Sequence, residues 1–272
     1  MTSAEDAVVA QSESAHMTAF SSHIGRTHRV NQDDGGAWTR MRPSGAPATL
    51  LVVADGVSTG KHSEEASRLV VELLRQQLTP LLGDDAQDID MLLTALTETT
   101  RRANDQINER PYLSPGTADA TTLVAVVCIG SEGGGVWCGD SRAYHLCDER
   151  VDRLTADHSW AEDVVRHGIM TPEQARNDRR AHMITRWLGP SAEIPLELDG
   201  FRFTLGTDQA VACCTDGLYA YFSPPNQQET QMAEILLNRE WQLQTAADAL
   251  VATALERGGH DDISVAVLRR GF

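Results

Sequence analysis

An α+β fold of two packed β-sheets with helices on their outer sides is predicted by three features of the chain. Strand-like runs outnumber helical ones, the helical segments come in pairs rather than alternating one-for-one with strands, and a block of short strands sits in the middle of the sequence. Regular βαβ alternation would predict a doubly wound parallel sheet; its absence favours segregated layers, and so many strands are most economically placed in two stacked sheets.

The elements follow in order. Residues 1–16, MTSAEDAVVAQSESAH, carry no periodic pattern and are expected to form a loose lead-in to a single domain over 17–272. The run ATLLVVAD (48–55) is continuously apolar with β-branched residues, which predicts a strand buried on both faces. In SEEASRLVVELLRQQL (63–78), Ala66, Leu69, Val70, Leu73 and Leu74 share a helical face, and Ser63 with Glu64 and Glu65 suggests a capped start. Residues 88–110 repeat the amphipathic pattern up to Pro111. The period then switches. TTLVAVVCIG, GGGVWCGD, SRAYHLC and RVDRLT predict four short strands, expected to pair in sequence as an antiparallel meander. Residues 157–183 are polar and helical, with Thr171-Pro172-Glu173 opening a short helix, and are expected to form a surface insertion, or flap. Two strands (IPLELDGFRFTL and QAVACCTD), helices near 227–238 and 244–257, and the closing strand DISVAVLRR complete the chain.

Composition excludes several classes of function. The formal net charge of −16 offers no basic field for nucleic acid or for an anionic membrane surface. No apolar run approaches the length of a bilayer span, and the N-terminus lacks the basic-then-apolar pattern of a signal peptide, so a cytoplasmic location is expected. The five cysteines, Cys128, Cys138, Cys147, Cys213 and Cys214, are odd in number, mostly within apolar runs and without a CxxC pair, as expected of reduced thiols.

The chemistry concentrates in aspartates at strand ends: Asp55 in VVADG, Asp140 in WCGDS, Asp216 in CCTDG and Asp261 in GHDDI. Taken singly, each Asp-Gly or Asp-Ser pair is a turn former. Together, from four separate strand ends, they suggest one convergent site for a hard cation such as Mg²⁺ or Mn²⁺, which takes several oxygen ligands.

At these residues the chain resembles the bacterial branch of the type 2C, metal-dependent serine/threonine protein phosphatases. SSHIGRTHRVNQDD is similar to the family's opening Arg…Asn-Glu-Asp element, and ADGVSTGKHSEEAS to its Asp-Gly-Met-Gly-Gly element ending in Glu-x-Ala-Ser. ATTLVAVV, CGDSRAYHL, LTADHS, HGIMTPEQA, ITRWLG, CTDGLYAYF and GGHDDISVAVL resemble later elements in the family's order. The resemblance implies a four-layer α-β-β-α sandwich with the metal site at one end of the sheets, and hydrolysis of phosphoserine and phosphothreonine by a metal-bridging hydroxide. It implies two core Mn²⁺ or Mg²⁺ ions: Asp55 bridging them, the Gly56 carbonyl helping to hold one, and Asp216 and Asp261 completing the other. Asp140 with Asp216 is expected on a third, weaker ion, and Asp33 is expected to orient water beside the metals. The implied partner is a phosphorylated protein, the substrate of a bacterial-type serine/threonine kinase, and the implied state is a monomer.

Three positions depart from the family pattern. His28 falls where the phosphate-binding arginine is expected; if residues 26–29 are a strand, Arg26 shares its face, so both are candidate phosphate ligands. Gln32 replaces a glutamate that often serves the second metal, and Asp262 replaces an asparagine. After Asp55-Gly56, Val57-Ser58-Thr59 replaces Met-Gly-Gly. These departures motivate an alternative, a pseudophosphatase that binds phosphoprotein without efficient turnover. A further alternative is a hydrolase of small phosphate esters.

Overall fold

A computed structural model describes residues 15–57, 62–109, 119–147, 150–190, 196–222 and 228–271. Most of the lead-in, with Ser58, Thr59 and Pro111, lies outside the described residues. The chain order is β1 (His16–His23), β2 (Asp33–Met41), β3 (Pro47–Asp55), α1 (Ser63–Leu82), α2 (Ile89–Asn108), β4 (Leu123–Ile129), β5 (Glu132–Cys138), β6 (Arg142–Cys147), β7 (Arg150–Arg153), α3 (Trp160–Arg166), α4 (Pro172–Arg176), β8 (Asp199–Thr204), β9 (Ala210–Cys214), α5 (Asp216–Tyr219), α6 (Gln228–Leu236), α7 (Leu243–Arg257) and β10 (Ile263–Arg270).

Two five-stranded sheets form, one in the order β1-β10-β9-β6-β7 and the other β2-β3-β4-β5-β8. All pairings are antiparallel. Strand alternation sorts β3 between two environments: Leu51 and Val53 point into the space between the sheets, beside Val124, Val211 and Ala266. Leu50, Val52 and Ala54 point the other way, against Val70, Leu74 and Leu78 of α1 and Leu92 and Leu96 of α2. On the far side, Val265 and Val267 of β10 pack with Ala246, Leu250 and Ala254 of α7. The result is the α-β-β-α sandwich, and it explains the unbroken apolar run of β3.

Two local expectations change. The four central strands are not one meander: β5 pairs with β8, while β6 pairs with β7 and β9 of the opposite sheet. The chain crosses between sheets at Gly139-Asp140-Ser141, because the outer edge of β5 is filled by a strand sixty residues downstream. Ser63 does not cap α1. His62 holds the N-cap position without a side-chain bond, and Ser63 Oγ donates instead to the Val57 carbonyl at 2.5 Å, tying down the turn after Asp55.

The expected flap, residues 157–183, lies between β7 and β8 and carries α3 and α4. Its two ends meet at a bridge between Ser159 and Ile184, and Thr171 closes a capping box on α4.

Candidate metal centre

One rim of the sandwich gathers the aspartates. Asp33 opens β2 and Asp55 ends β3, and the two are register partners. The Asp55 main chain is locked: its N–H donates to Thr122 Oγ1 at 3.1 Å, and its carbonyl accepts from Thr122 N at 2.8 Å and Thr121 Oγ1 at 2.9 Å. Gly56 follows where a Cβ would lie 2.7 Å from the Gln32 carbonyl oxygen and 2.8 Å from that of Ser63, so only glycine lets the chain pass. Asp140 sits in the crossover after β5, Asp216 opens α5 directly after β9, and Asp261 precedes β10. Asp55, Asp140, Asp216 and Asp261 all remain partly exposed.

These residues lie within electrostatic reach of one another. Burial pushes the Asp55 carboxyl well above the carboxylate range, and the charges of Asp33, Asp216, Asp140 and Asp261 push it further. Asp140 is raised to about 7 by burial, then by Asp216 and Asp157. Asp216 is raised to about 6 by burial and by Asp261. Asp33 is raised by burial, against the pull of hydrogen bonds from Ser264 and Thr215. Its Oδ2 accepts from Thr215 Oγ1 at 2.9 Å, whereas its Oδ1 and the Oδ1 of Asp216 are buried without a hydrogen-bond partner. Mutually repelling acids around two buried, unused oxygens are a poor arrangement for protein alone and a good one for divalent cations.

The 24–32 segment departs from expectation. It is irregular rather than a strand, because its polar groups are spent on the 255–262 turn. Arg26 N donates to the Gly259 carbonyl and Arg26 Nη2 to the Leu255 carbonyl at 3.0 Å, where α7 ends. The alternation that placed Arg26 beside His28 therefore does not apply, and the Arg26 guanidinium bonds a carbonyl of the last turn of α7, whose C-cap is Gly258. His28 Nδ1 instead lies 3.1 Å from Asp262 Oδ2 and 3.4 Å from Asp261 Oδ1. The three side chains bring ligand atoms within 4.8 Å of one another. Asp262 is 2% exposed and fully engaged: Oδ1 accepts from Gly25 N at 2.9 Å and Oδ2 from Gln32 N at 2.7 Å. Gln32 contributes through its main chain, its carbonyl accepting from Gly56 N and from Ser67 Oγ.

Thr122, Thr215 and His158 support the rim without having been singled out in the sequence, whereas Asp262 is marked there as a departure from the family pattern. Short hydroxyl residues one or two positions from a strand-end aspartate were the available signal for Thr215. Arg142 forms a two-pronged pair with Asp157 at 2.8 and 2.6 Å and lies over the Tyr219 ring at 3.6 Å.

A family model for protein phosphatase 2C matches residues 21–256. The chain belongs to the protein phosphatase 2C family. A curated relative, serine/threonine phosphatase stp of Listeria monocytogenes serotype 4b (strain F2365), is 31% identical over 259 residues, covering 92% of this chain and 94% of the relative. The crystal structure of the Mycobacterium tuberculosis serine/threonine phosphatase PstP/Ppp matches with a TM-score of 0.75 at 28% identity, covering 94% of this chain and 99% of that one. A PstP catalytic domain in complex with two manganese ions matches with a TM-score of 0.72 at the same identity and coverage. This protein phosphatase 2C thus carries its aspartate rim in the fold expected from its sequence. No described helix is long and apolar enough to cross a membrane.

Proposed function

We propose that the protein hydrolyses phosphoserine and phosphothreonine in protein substrates, using Mn²⁺ or Mg²⁺ held by the acidic rim. Asp55 would bridge two core ions, the Gly56 carbonyl would support one, and Asp216 and Asp261 would complete the other; Asp140, with Asp216, would hold a weaker third. The observation that carries this assignment is the pair of buried, unpartnered oxygens, Asp33 Oδ1 and Asp216 Oδ1, among acids that raise one another's pKa. Bound ions supply Lewis-acid polarisation of the phosphoryl oxygens and lower the pKa of bound water towards neutrality.

The protein's own residues do the rest. The Thr121 and Thr122 bonds hold Asp55 rigid. Thr215 fixes one oxygen of Asp33 and leaves the other to orient a water molecule. His28, with a side chain 26% exposed beside Asp261, would meet a phosphate oxygen. Arg26 is the weaker candidate, since its guanidinium bonds the last turn of α7. The substrate is a phosphoprotein made by a bacterial-type serine/threonine kinase, and the enzyme acts as a cytoplasmic monomer. Nothing among the described residues favours the alternative without turnover, because all the expected aspartates reach the rim.

Manganese-dependent hydrolysis of a phosphothreonine peptide and of p-nitrophenyl phosphate tests the assignment. Both activities are expected, with the peptide preferred, and both are expected to vanish in Asp55→Asn. Absence of turnover with either substrate at saturating Mn²⁺ would overturn it.

A further inference from the structure

The turn that carries Asp140 is shaped from outside the sheets. Gly139 has φ +108°, a conformation that suits glycine, and a Cβ there would lie 2.6 Å from Thr122 Cβ. The Gly139 N–H donates to His158 Nδ1 at 3.0 Å. The Gly139 carbonyl, part of the peptide leading into Asp140, accepts from the His158 N–H at 3.0 Å. A backbone N–H can only donate, so Nδ1 is the acceptor and the ring proton resides on Nε2. Nε2 then donates to Asp199 Oδ2 at 2.8 Å, which Arg186 also engages at 3.2 Å. The residue is 4% exposed, and its ring stacks on Trp137, with centroids 5.7 Å apart and planes at 17°.

We propose that His158 is a positioning residue for Asp140: by gripping the Gly139 N–H and carbonyl it aims the Asp140 carboxylate at the acidic rim and sets the affinity of the weakest ion site. The inference rests on the assignment of Asp140 as a metal ligand. A histidine suits the task because one flat ring accepts at Nδ1, donates at Nε2 and stacks on an indole. The same residue stands at the flap root. Its carbonyl accepts from Thr185 N at 2.7 Å, and the adjacent Ser159 bridges Ile184. The flap, β8 and the Asp140 turn therefore share one anchor. Support of a ligand by hydrogen bonds one step removed from the metal is worth about 10–100-fold in affinity elsewhere.

Two substitutions separate the ring's two contacts. Asparagine places an acceptor near the Nδ1 position, and glutamine places a donor near the Nε2 position. Mn²⁺ isotherms by calorimetry, together with the amide proton shift of Gly139 in ¹⁵N-labelled protein, are measured for wild type, His158→Asn, His158→Gln and Asp140→Asn. His158→Gln is expected to lose the hydrogen-bonded Gly139 shift and to weaken the weakest class of Mn²⁺ sites by about 10–100-fold. His158→Asn is expected to keep both near wild type. A purely structural role would lower the melting temperature of both variants without separating their isotherms. A wild-type isotherm for His158→Gln, or equal weakening in both variants, overturns the proposal. If His158→Gln does not fold, Asp199→Ala releases Nε2 from a side chain that is 47% exposed. That variant is expected to show a smaller weakening and a moved Gly139 resonance, and an unchanged isotherm and resonance overturn the proposal. If Asp140→Asn binds Mn²⁺ as wild type does, the assignment of Asp140 as a ligand fails, while the Gly139 shift still decides whether His158 holds the turn.

Discussion

Asp262 and Asp216 flank the same rim, and their surroundings are opposite. Asp262 is almost fully buried, and both its oxygens are met by donors from Gly25, Gln32 and His28. Asp216 keeps a buried oxygen with no partner and feels Asp261 as its strongest charged neighbour. A carboxylate surrounded by N–H groups is complete and holds protein segments together. A carboxylate surrounded by carboxylates is incomplete until cations arrive. Asp157, clamped by Arg142, belongs with Asp262; Asp55 and Asp140 belong with Asp216. Neighbouring acids of one residue type are thereby divided, by their partners alone, into those met by donors and those that face one another.

The largest test of this division is Asp216→Asn. Turnover with Mn²⁺ is expected to fall by about 10³-fold or more, the equivalent of several kcal/mol of charge stabilisation. The urea midpoint of the metal-free protein should hold or rise, since one repelling charge is gone. A variant that keeps its Mn²⁺-dependent rate would erase the distinction.

Asp262→Ala should do the reverse. Stranding the Gly25 and Gln32 N–H groups is expected to cost about 3 kcal/mol in urea unfolding, with Mn²⁺ affinity of the folded fraction unchanged. Lost Mn²⁺ affinity at wild-type stability would move Asp262 into the metal-binding set.

His28→Ala and Arg26→Ala sharpen the boundary between the sets. His28→Ala is expected to lower kcat/KM on a phosphopeptide by about tenfold, the size of one hydrogen bond to a charged group. Arg26→Ala should leave kcat/KM near wild type and cost about 1 kcal/mol of stability through the lost bond to the last turn of α7. Equal kinetic losses in both would restore Arg26 as a phosphate ligand.

The smallest effect concerns pH. Burial lowers the pKa of His16, whose ring bonds Thr49 and the Gly130 carbonyl, and burial likewise lowers that of His158. Below pH 6.5 the unfolded chain then binds more protons than the folded one, so stability falls as pH drops through that value, by at most about 1.4 kcal/mol per pH unit for each histidine. Metal-free aspartates act in the opposite direction: Asp140 at about 7 and Asp216 at about 6 bind protons more readily when folded, so their contribution grows as pH falls from about 7. Urea midpoints measured between pH 7.5 and 5.5 in saturating Mn²⁺ isolate the histidines. His16→Gln should flatten that slope, and an unchanged slope would show that His16 is not held neutral.

Much of this arrangement is legible in one dimension. The continuous apolar run at 48–55 marks a strand covered on both faces, the helical faces at 63–78 and 88–110 mark the pair that covers it, and each aspartate of the rim stands where a strand-like run meets a turn. These signals are local: a period of two or of 3.6 residues and a turn-forming neighbour are written within ten residues of each other.

Partner choice is not local. Which strand takes the outer edge of β5 and whether Arg26 faces phosphate or the end of α7 depend on segments up to about 230 residues away. The same holds for Asp261 and Asp262, adjacent in sequence and alike in chemistry. The sequence by itself determined that aspartates would stand at the strand ends of an α+β sandwich. Only the tertiary structure decided which would be met by hydrogen-bond donors and which would be left facing one another, because that depends on what the folded chain brings to within 3 Å of each oxygen.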